Sequence, residues 1–389
     1  MPRSRRVALI IETSNEYARG LLHGIRSYLH EHGTWEIYLR EGSRGEAALD
    51  WLARWKGDGI IARMENSQIA RAVMARGLPV IDLSAARLAL DAPMVETDDA
   101  AIATLAAEHL LERGYRHLAF CGDPRFRWSQ DRRDHFTAHV HEAGHDCHVY
   151  PPRGKGRRRA GDEHKALATW VNGLPKPVGI MACYDMRGRQ ILEACREIGV
   201  AVPDQVAVIG VDNDELLCDL SEPPLSSIAP DSERTGYVAA ELLDRMMAGR
   251  KVAPDAYHIK PLGIVCRQST DALAVADLEV IQAVRFIREA ARKGIKVEEV
   301  VEHVGLSRRA LDARFRRWLG HTVHDEIRRV QLDLVKQLLV ETQLPLTRIA
   351  AQVGFDHVEY LSVWFKRETG QPPSVFREAQ RKRGGRGEV

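Results

Sequence analysis

The stretch Val206-Ala207-Val208-Ile209-Gly210-Val211-Asp212 is an unbroken apolar run that ends on a carboxylate. A strand with one wet face alternates polar and apolar residues. A strand without that alternation is buried on both faces of a parallel sheet. Val7–Ile11 reads the same way, and further strands are expected over Trp35–Leu39, Gly57–Ala62 and Pro79–Leu83, then over His117–Gly122, Cys147–Tyr150 and Val178–Ala182. Between these runs the apolar residues fall at helical spacing. Helices are expected over Tyr17–His32, Ala47–Trp55, Gln68–Arg76 and Ala100–Arg113. They are expected again over Arg132–Ala143, His164–Asn172, Arg187–Ile198 and Thr235–Met247. Repeated βα units imply parallel sheets covered by helices, and the rhythm restarts at His117. Two doubly wound lobes follow, with a ligand cleft at the carboxyl ends of the strands.

The chain has 389 residues, 28% of them charged and 44% hydrophobic, the composition of a soluble globular protein of two or three domains. No apolar run approaches a membrane span. The run after Arg5-Arg6 meets Glu12 too soon for a signal sequence. The six cysteines include no CxxC and read as reduced core thiols, which points to the cytoplasm. A net charge of +2 hides a split. From Val275 onward there are 21 Lys or Arg against 16 Asp or Glu; before it there are 35 against 38. The basic end is the place to look for a polyanionic partner.

That end contains a repeat. Val297 to Gly305-Leu306 matches Leu346 to Gly354-Phe355 at an offset of 49, and Leu311, Phe315 and Gly320 match Leu361, Phe365 and Gly370 at an offset of 50. Each copy reads as a short helix, a glycine turn and a second helix, the helix-turn-helix pattern. Ser307 and Asp356 stand where they would cap the second helices. Leu311, Phe315, Trp318 and Leu319 form a core face, which leaves Arg308, Arg309, Asp312 and Arg316 for the other. In the second copy His357, Glu359, Tyr360, Ser362, Val363 and Lys366 are left for the surface. An α-helix fits the DNA major groove, and Arg pairs with guanine through two bonds. Two such helices, joined by a helix over Thr322–Leu339, suit successive major-groove segments on one DNA face.

Residues from about Asp277 to Gln380 resemble the DNA-binding domain of AraC-type transcription regulators. The resemblance rests on Ile349–Phe355, Tyr360–Arg367 and Thr369–Arg377. Val363 departs from it, because that family often has a polar or basic base-reading residue there. The first part is similar to the sugar-binding domain of LacI-type repressors and periplasmic sugar-binding proteins. Asn15-Glu16-Tyr17, Leu21–Ile25, Thr97-Asp98-Asp99, His109–His117 and Val208–Asn213 carry that likeness. Val7 already opens the first strand, so the LacI-type headpiece is not expected. A sensor followed by such a reader resembles the xylose operon regulators. Trp35, Asp58-Gly59, Trp128, Asp185, Arg187, Arg189 and Lys293–Val297 fit their pattern.

A sugar presents hydroxyls that both donate and accept, so carboxylates and Arg at strand ends suit it, with an aromatic ring over its face. Asp212, Asp185, Asp98, Tyr17 and Arg132 all follow strands. The resemblance implies that Arg132 and Asp212 hold sugar hydroxyls, with Asp185, Asp98, Tyr17, Trp128 and Asn213 beside them. Asp185 also stands where it would cap the helix it starts, and Tyr17 would serve equally to pack in the core. His135, His139, His141, His145, Cys147 and His148 cluster, yet no acid stands at the spacing of a hydrolytic zinc motif, so no metal is expected. The Pro151–Gly161 segment lacks P-loop spacing. No catalytic triad has motif support, and no cofactor is expected.

The expected architecture is therefore α/β plus α. A two-lobed doubly wound sensor over 1–271 precedes an all-α reader over 272–389, with helix-turn-helix units at about 297–319 and 346–369. The expected function is that of a sugar-responsive transcription regulator, with D-xylose the effector that the resemblance implies and activation its effect. Its partners would be double-stranded DNA, RNA polymerase and a second copy of the chain. The alternatives are another sugar, a constitutive DNA-binding protein whose first part only dimerises, and a sugar-processing enzyme on the same fold.

Overall fold

A computed structural model describes residues 4–39, 51–151, 160–271, 277–290, 294–342, 344–355 and 357–384. The chain divides into two compact units, Met1–Leu111 with Tyr115–Ala274, and Val275–Val389 with Glu112–Gly114.

The first unit begins β1 (Arg6–Ile10), α1 (Glu16–His32), β2 (Glu36–Leu39), β3 (Gly59–Ala62), α2 (Ser67–Met74), β4 (Val80–Asp82), β5 (Met94–Thr97) and α3 (Asp99–Glu112). It continues β6 (His117–Cys121), α4 (Arg127–Glu142), β7 (Cys147–Val149), α5 (Ala160–Gly173), β8 (Val178–Ala182), α6 (Asp185–Glu197) and β9 (Val206–Val211). It closes with α7 (Glu215–Asp219), β10 (Ser226–Ala229), α8 (Ser232–Met247), β11 (Ala256–Ile259) and β12 (Gly263–Val265). Two six-stranded sheets result, in the orders β11-β5-β4-β3-β1-β2 and β12-β10-β9-β8-β6-β7. Their pairings are parallel except β10 with β12. The runs without alternation are the central strands: β3, β8 and β9 are buried along their whole length.

The chain returns late to the first lobe through α8 and β11, and α8 lies directly on α1. A Cβ on Gly24 would fall 1.9 Å from the Glu233 carbonyl, and one on Gly236 2.0 Å from that of Leu21. Only glycine lets the two backbones meet this closely.

The sequence reading marks neither these late strands nor α7. Their segments are short, and β11 and β12 are edge strands with half-exposed faces, so the apolar run that betrays a central strand is missing. In the helix expected at Ala47–Trp55, residues 47–50 lie outside the described ones and 51–54 form turns.

The second unit is helical: α9 (Leu278–Ala290), α10 (Val297–Val304), α11 (Arg308–Leu319), α12 (Val323–Glu341), α13 (Leu346–Val353), α14 (Val358–Thr369) and α15 (Pro373–Gly384). Gly305 (φ 74°) and Gly354 (φ 82°) make the turns in the left-handed region. The Ser307 hydroxyl accepts from the Ala310 N–H and caps α11. Asp356, expected to cap α14, lies outside the described residues. The α14 cap position is held by His357, which makes no side-chain capping bond. Leu311, Phe315 and Leu319 are buried, while Trp318 is only half-buried. Leu361, Trp364 and Phe365 close the second copy's core against Val335, Leu339 and Ile349.

Candidate functional site

A cleft of about 480 Å³ opens at the carboxyl ends of both sheets in the first unit. One wall comes from the first lobe: Asn15 and Tyr17 after β1, Arg63 after β3, Leu83 and Ala85 after β4, Glu96 and Thr97 on β5. The other brings Asp99 at the start of α3, Trp128 and Arg132 on α4, and Asp212 after β9.

The charges here are buried and held in place. Arg63 is ion-paired with Glu12 and, at 2.7 Å, with Glu65, and it lies 5.3 Å from the Tyr17 ring. Burial opposes its charge, but the two glutamates outweigh it and raise its pKa. The Tyr17 hydroxyl lies 3.1 Å from that of Thr97, and burial pushes its pKa up. Arg132 donates through Nε to Asp99 at 2.7 Å and through Nη1 to the Cys183 carbonyl at 2.6 Å. Its guanidinium covers the Trp128 ring at 4.9 Å. The Nε of Arg63 and the Oε2 of Glu96 are buried with no hydrogen-bond partner among the described residues. Burial, then the nearby Asp99 charge, pushes Glu96 up to about 7. One donor and one acceptor are thus left over beside aromatic surface, and a hydroxyl can satisfy either.

Asp212 and Asn213 carry positive φ values of 108° and 48°. Such angles cost free energy in residues other than glycine, and the surroundings must impose them. The Asp212 N–H donates to the Ile228 carbonyl and that of Asn213 to the Ser227 hydroxyl, both at 3.0 Å. Asp185, fully buried, accepts from the Asp214 N–H at 2.8 Å and from the Ser227 hydroxyl at 2.6 Å.

The structure therefore brings Tyr17, Trp128, Arg132 and Asp212 together in the cleft, but not Asp98, Asp185 or Asn213. Asp98 caps α3 through the Ala101 N–H, leaving the next residue, Asp99, to face the cleft. Asp185 does not cap its own helix, whose cap position is Tyr184; it props up the 212–214 turn. Asn213 accepts from Arg267 at 2.9 Å. Arg187 is buried against Glu163 and is not part of the cleft lining. Sequence reasoning missed Arg63, Glu96 and Asp99. Arg63 stands just beyond a buried strand, as Asp212 does, and the strand-end rule would have found it. Among the described residues no three His, Cys, Asp or Glu converge as a metal set; His135, His139 and His141 lie on α4.

In the second unit α11 and α14 each have 12 residues and a left-handed glycine at either end. Arg308, Arg309 and Arg316 are exposed on α11, and His357, Glu359, Tyr360 and Lys366 at or along α14. Two expected residues turn inward. Asp312 accepts from the Val323 N–H at 3.1 Å, capping α12, and Ser362 donates to the Val358 carbonyl at 3.0 Å. Such helices offer exposed side chains at the width of a major groove.

Comparison with known proteins agrees in all parts of the chain. A family model described as the XylR N-terminal domain matches residues 6–97, a periplasmic binding protein-like domain matches 107–270, and a helix-turn-helix domain matches 300–379. The xylose operon regulatory protein of Escherichia coli (strain K12) is 33% identical over 381 residues, which cover 96% of this chain and 97% of that one. Its namesake in Haemophilus influenzae (strain ATCC 51907 / DSM 11121 / KW20 / Rd) is 30% identical, covering 96% and 98%. A solved structure of a xylose-binding transcription activator aligns with a TM-score of 0.64 at 31% identity, over 97% of this chain and 99% of that one.

Proposed function

Because the chain belongs to the family of xylose operon regulatory proteins, transcription regulators and not enzymes, we propose that D-xylose binds in the cleft and controls DNA binding by the helical unit. The observation that carries this reading is the lining of the cleft. It sets ion-paired Arg and carboxylate groups around the Tyr17 and Trp128 rings, with Arg63 Nε and Glu96 Oε2 left to be satisfied. Arg132 and Asp212 take sugar hydroxyls, and Trp128 covers the ring face. Asp185 and Asn213 act indirectly by fixing the turn at Asp212, and Asp98 by starting α3.

The sensing part spans 1–271 and the reading part 272–389, with helix-turn-helix units at about 297–319 and 346–369. Arg308, Arg309 and Arg316 read from the first, and His357, Glu359, Tyr360 and Lys366 from the second. Asp312 and Ser362 hold those helices in shape. The protein works in the cytoplasm as a homodimer. Sugar closure of the cleft resets the spacing or orientation of two readers, to which half-site binding is sensitive, and the bound dimer recruits RNA polymerase to activate sugar-use genes.

Calorimetric titration with D-xylose, its pentose epimers and hexoses tests the sensing step. D-xylose should bind tightest, and Asp212→Ala should abolish binding while unliganded DNA affinity stays. If no sugar in the panel binds, the sensing assignment is wrong; if a hexose binds tightest, the effector is another sugar.

A further inference from the structure

The two reading helices share a length and a frame but not a surface. On α11 the exposed face is cationic, with Arg308, Arg309 and Arg316. On α14 its centre is apolar: Tyr360 is 70% and Val363 72% exposed, one helical turn apart. Among the described residues of the second unit these are the two most exposed large apolar side chains; Val375 follows at 48%. Each spends solvation free energy in the isolated chain, and the buried face of α14 already has Leu361, Trp364 and Phe365 for its core. Lys366 and Arg367 are exposed beyond them and suit a phosphate backbone.

Resting on the reading of α14 as a DNA-contacting helix, we infer that this helix reads thymine through its C5-methyl group, with Val363 packing on the methyl and Tyr360 on the neighbouring base pair. The chemistry is selective. In the major groove thymine alone among the four bases presents a methyl group, and apolar side chains are its partners. The spacing suits adjacent pairs: three helical residues advance about 4.5 Å, against about 3.4 Å per base step. An isopropyl group makes no hydrogen bond, so Val363 cannot replace this selection with a polar one. The two helices therefore divide the work, with guanine edges read by the arginines of α11 and a thymine-bearing step by α14.

The test uses the full chain and duplexes it selects from a randomised pool. Each dT of the selected site is replaced in turn by dU, which removes only the methyl, and affinity is read by anisotropy. One or two neighbouring replacements in one half of the site should weaken binding about three- to tenfold, the scale of a methyl's burial. Val363→Ala should weaken binding to the dT site and lose most of the dT-over-dU preference. The proposal is overturned if no dU costs more than about 1.5-fold, or if the cost survives undiminished in Val363→Ala. Val363→Asp and Lys366→Ala separate the two layers of the argument. Both positions are exposed, so the core is untouched. If both variants bind as the parent does, α14 is not on the DNA, and the methyl proposal falls with that reading. If both weaken binding while dU has no effect, the reading stands and the methyl proposal alone falls.

Discussion

The cleft of the first unit and the reading helices of the second use the same residue types in opposite ways. In the cleft Arg132 and Asp99 are almost buried and 2.7 Å apart, and Arg63 is clamped by two glutamates. On α11 the Arg308 side chain is 59% exposed, with loose contacts to Glu298 at 3.3 Å and Asp312 at 4.0 Å. On the proposed function, the difference follows from the partner each faces. A small neutral polyol must find its donors and acceptors already fixed, because it brings too little binding energy to order them. A polyanion brings dense charge of its own and is met best by solvated cations that are free to move. Buried, paired charge thus suits a sensor, and exposed, loosely paired charge a reader.

The largest expected effect sits at the rigid end. Arg132→Ala would strand Asp99 in a buried site, at a cost of about 3–5 kcal/mol. Arg308→Ala should change stability by under about 0.5 kcal/mol. Chemical denaturation of both variants compares them, and similar losses would erase the contrast. Next, Arg308→Ala with Arg309→Ala should cut DNA affinity about tenfold or more and relax the preference for the base pairs these arginines read. Sugar affinity should be untouched, as titration calorimetry would show.

A smaller effect separates two neighbouring acids. Asp98→Ala removes a helix cap worth about 1 kcal/mol and, acting only through the start of α3, should weaken sugar binding less than Asp99→Asn does. Asp99→Asn should weaken sugar binding, because it loosens Arg132. If Asp98→Ala proves the more damaging to sugar binding, the placement of the cleft wall is wrong.

Two pH dependences of opposite sign complete the contrast. Burial raises Glu96 from 4.5 to about 7, so the folded state holds a proton that the unfolded chain releases. Its contribution to stability is full below pH 4.5 and is lost as pH rises through 7. Thermal melts of the first unit's transition should fall across that window, and Glu96→Gln should flatten the slope. In the second unit Glu326 is also buried, but its pKa is lowered. Burial alone would raise it; the bonds from His321 at 3.0 Å and Arg329 at 2.8 Å outweigh that. Its contribution is present above pH 4.5 and is lost only as the medium turns strongly acid. Two buried glutamates thus titrate in opposite directions, and Glu326→Gln should remove only the acid-side slope.

The fold was legible wherever one pattern filled a segment. Val206–Val211 could be nothing but a central strand, and the repeat carried both helix-turn-helix units down to the Ser307 cap. Edge strands such as β12 were not legible, because three half-exposed residues carry no period. The site was legible one wall at a time. Residues directly beyond buried strands, such as Asp212, could be found from the strand-end rule. Which of two adjacent acids faces the cleft could not, because Asp98 and Asp99 differ by about 100° of helix rotation and not by chemistry. Asp185 stands beyond a strand too, yet faces the back of a strained turn, a distinction that depends on Ser227 forty-two residues away.

The central claim is that a sugar in the cleft changes what the reading helices do. Affinity of the full chain for its selected DNA site, measured with and without saturating D-xylose, tests it most directly. The account predicts that D-xylose shifts that affinity by about tenfold or more, and that Asp212→Ala abolishes the shift while keeping the unliganded affinity. Equal affinity with and without the sugar, in a parent protein that calorimetry shows to bind D-xylose, would contradict it.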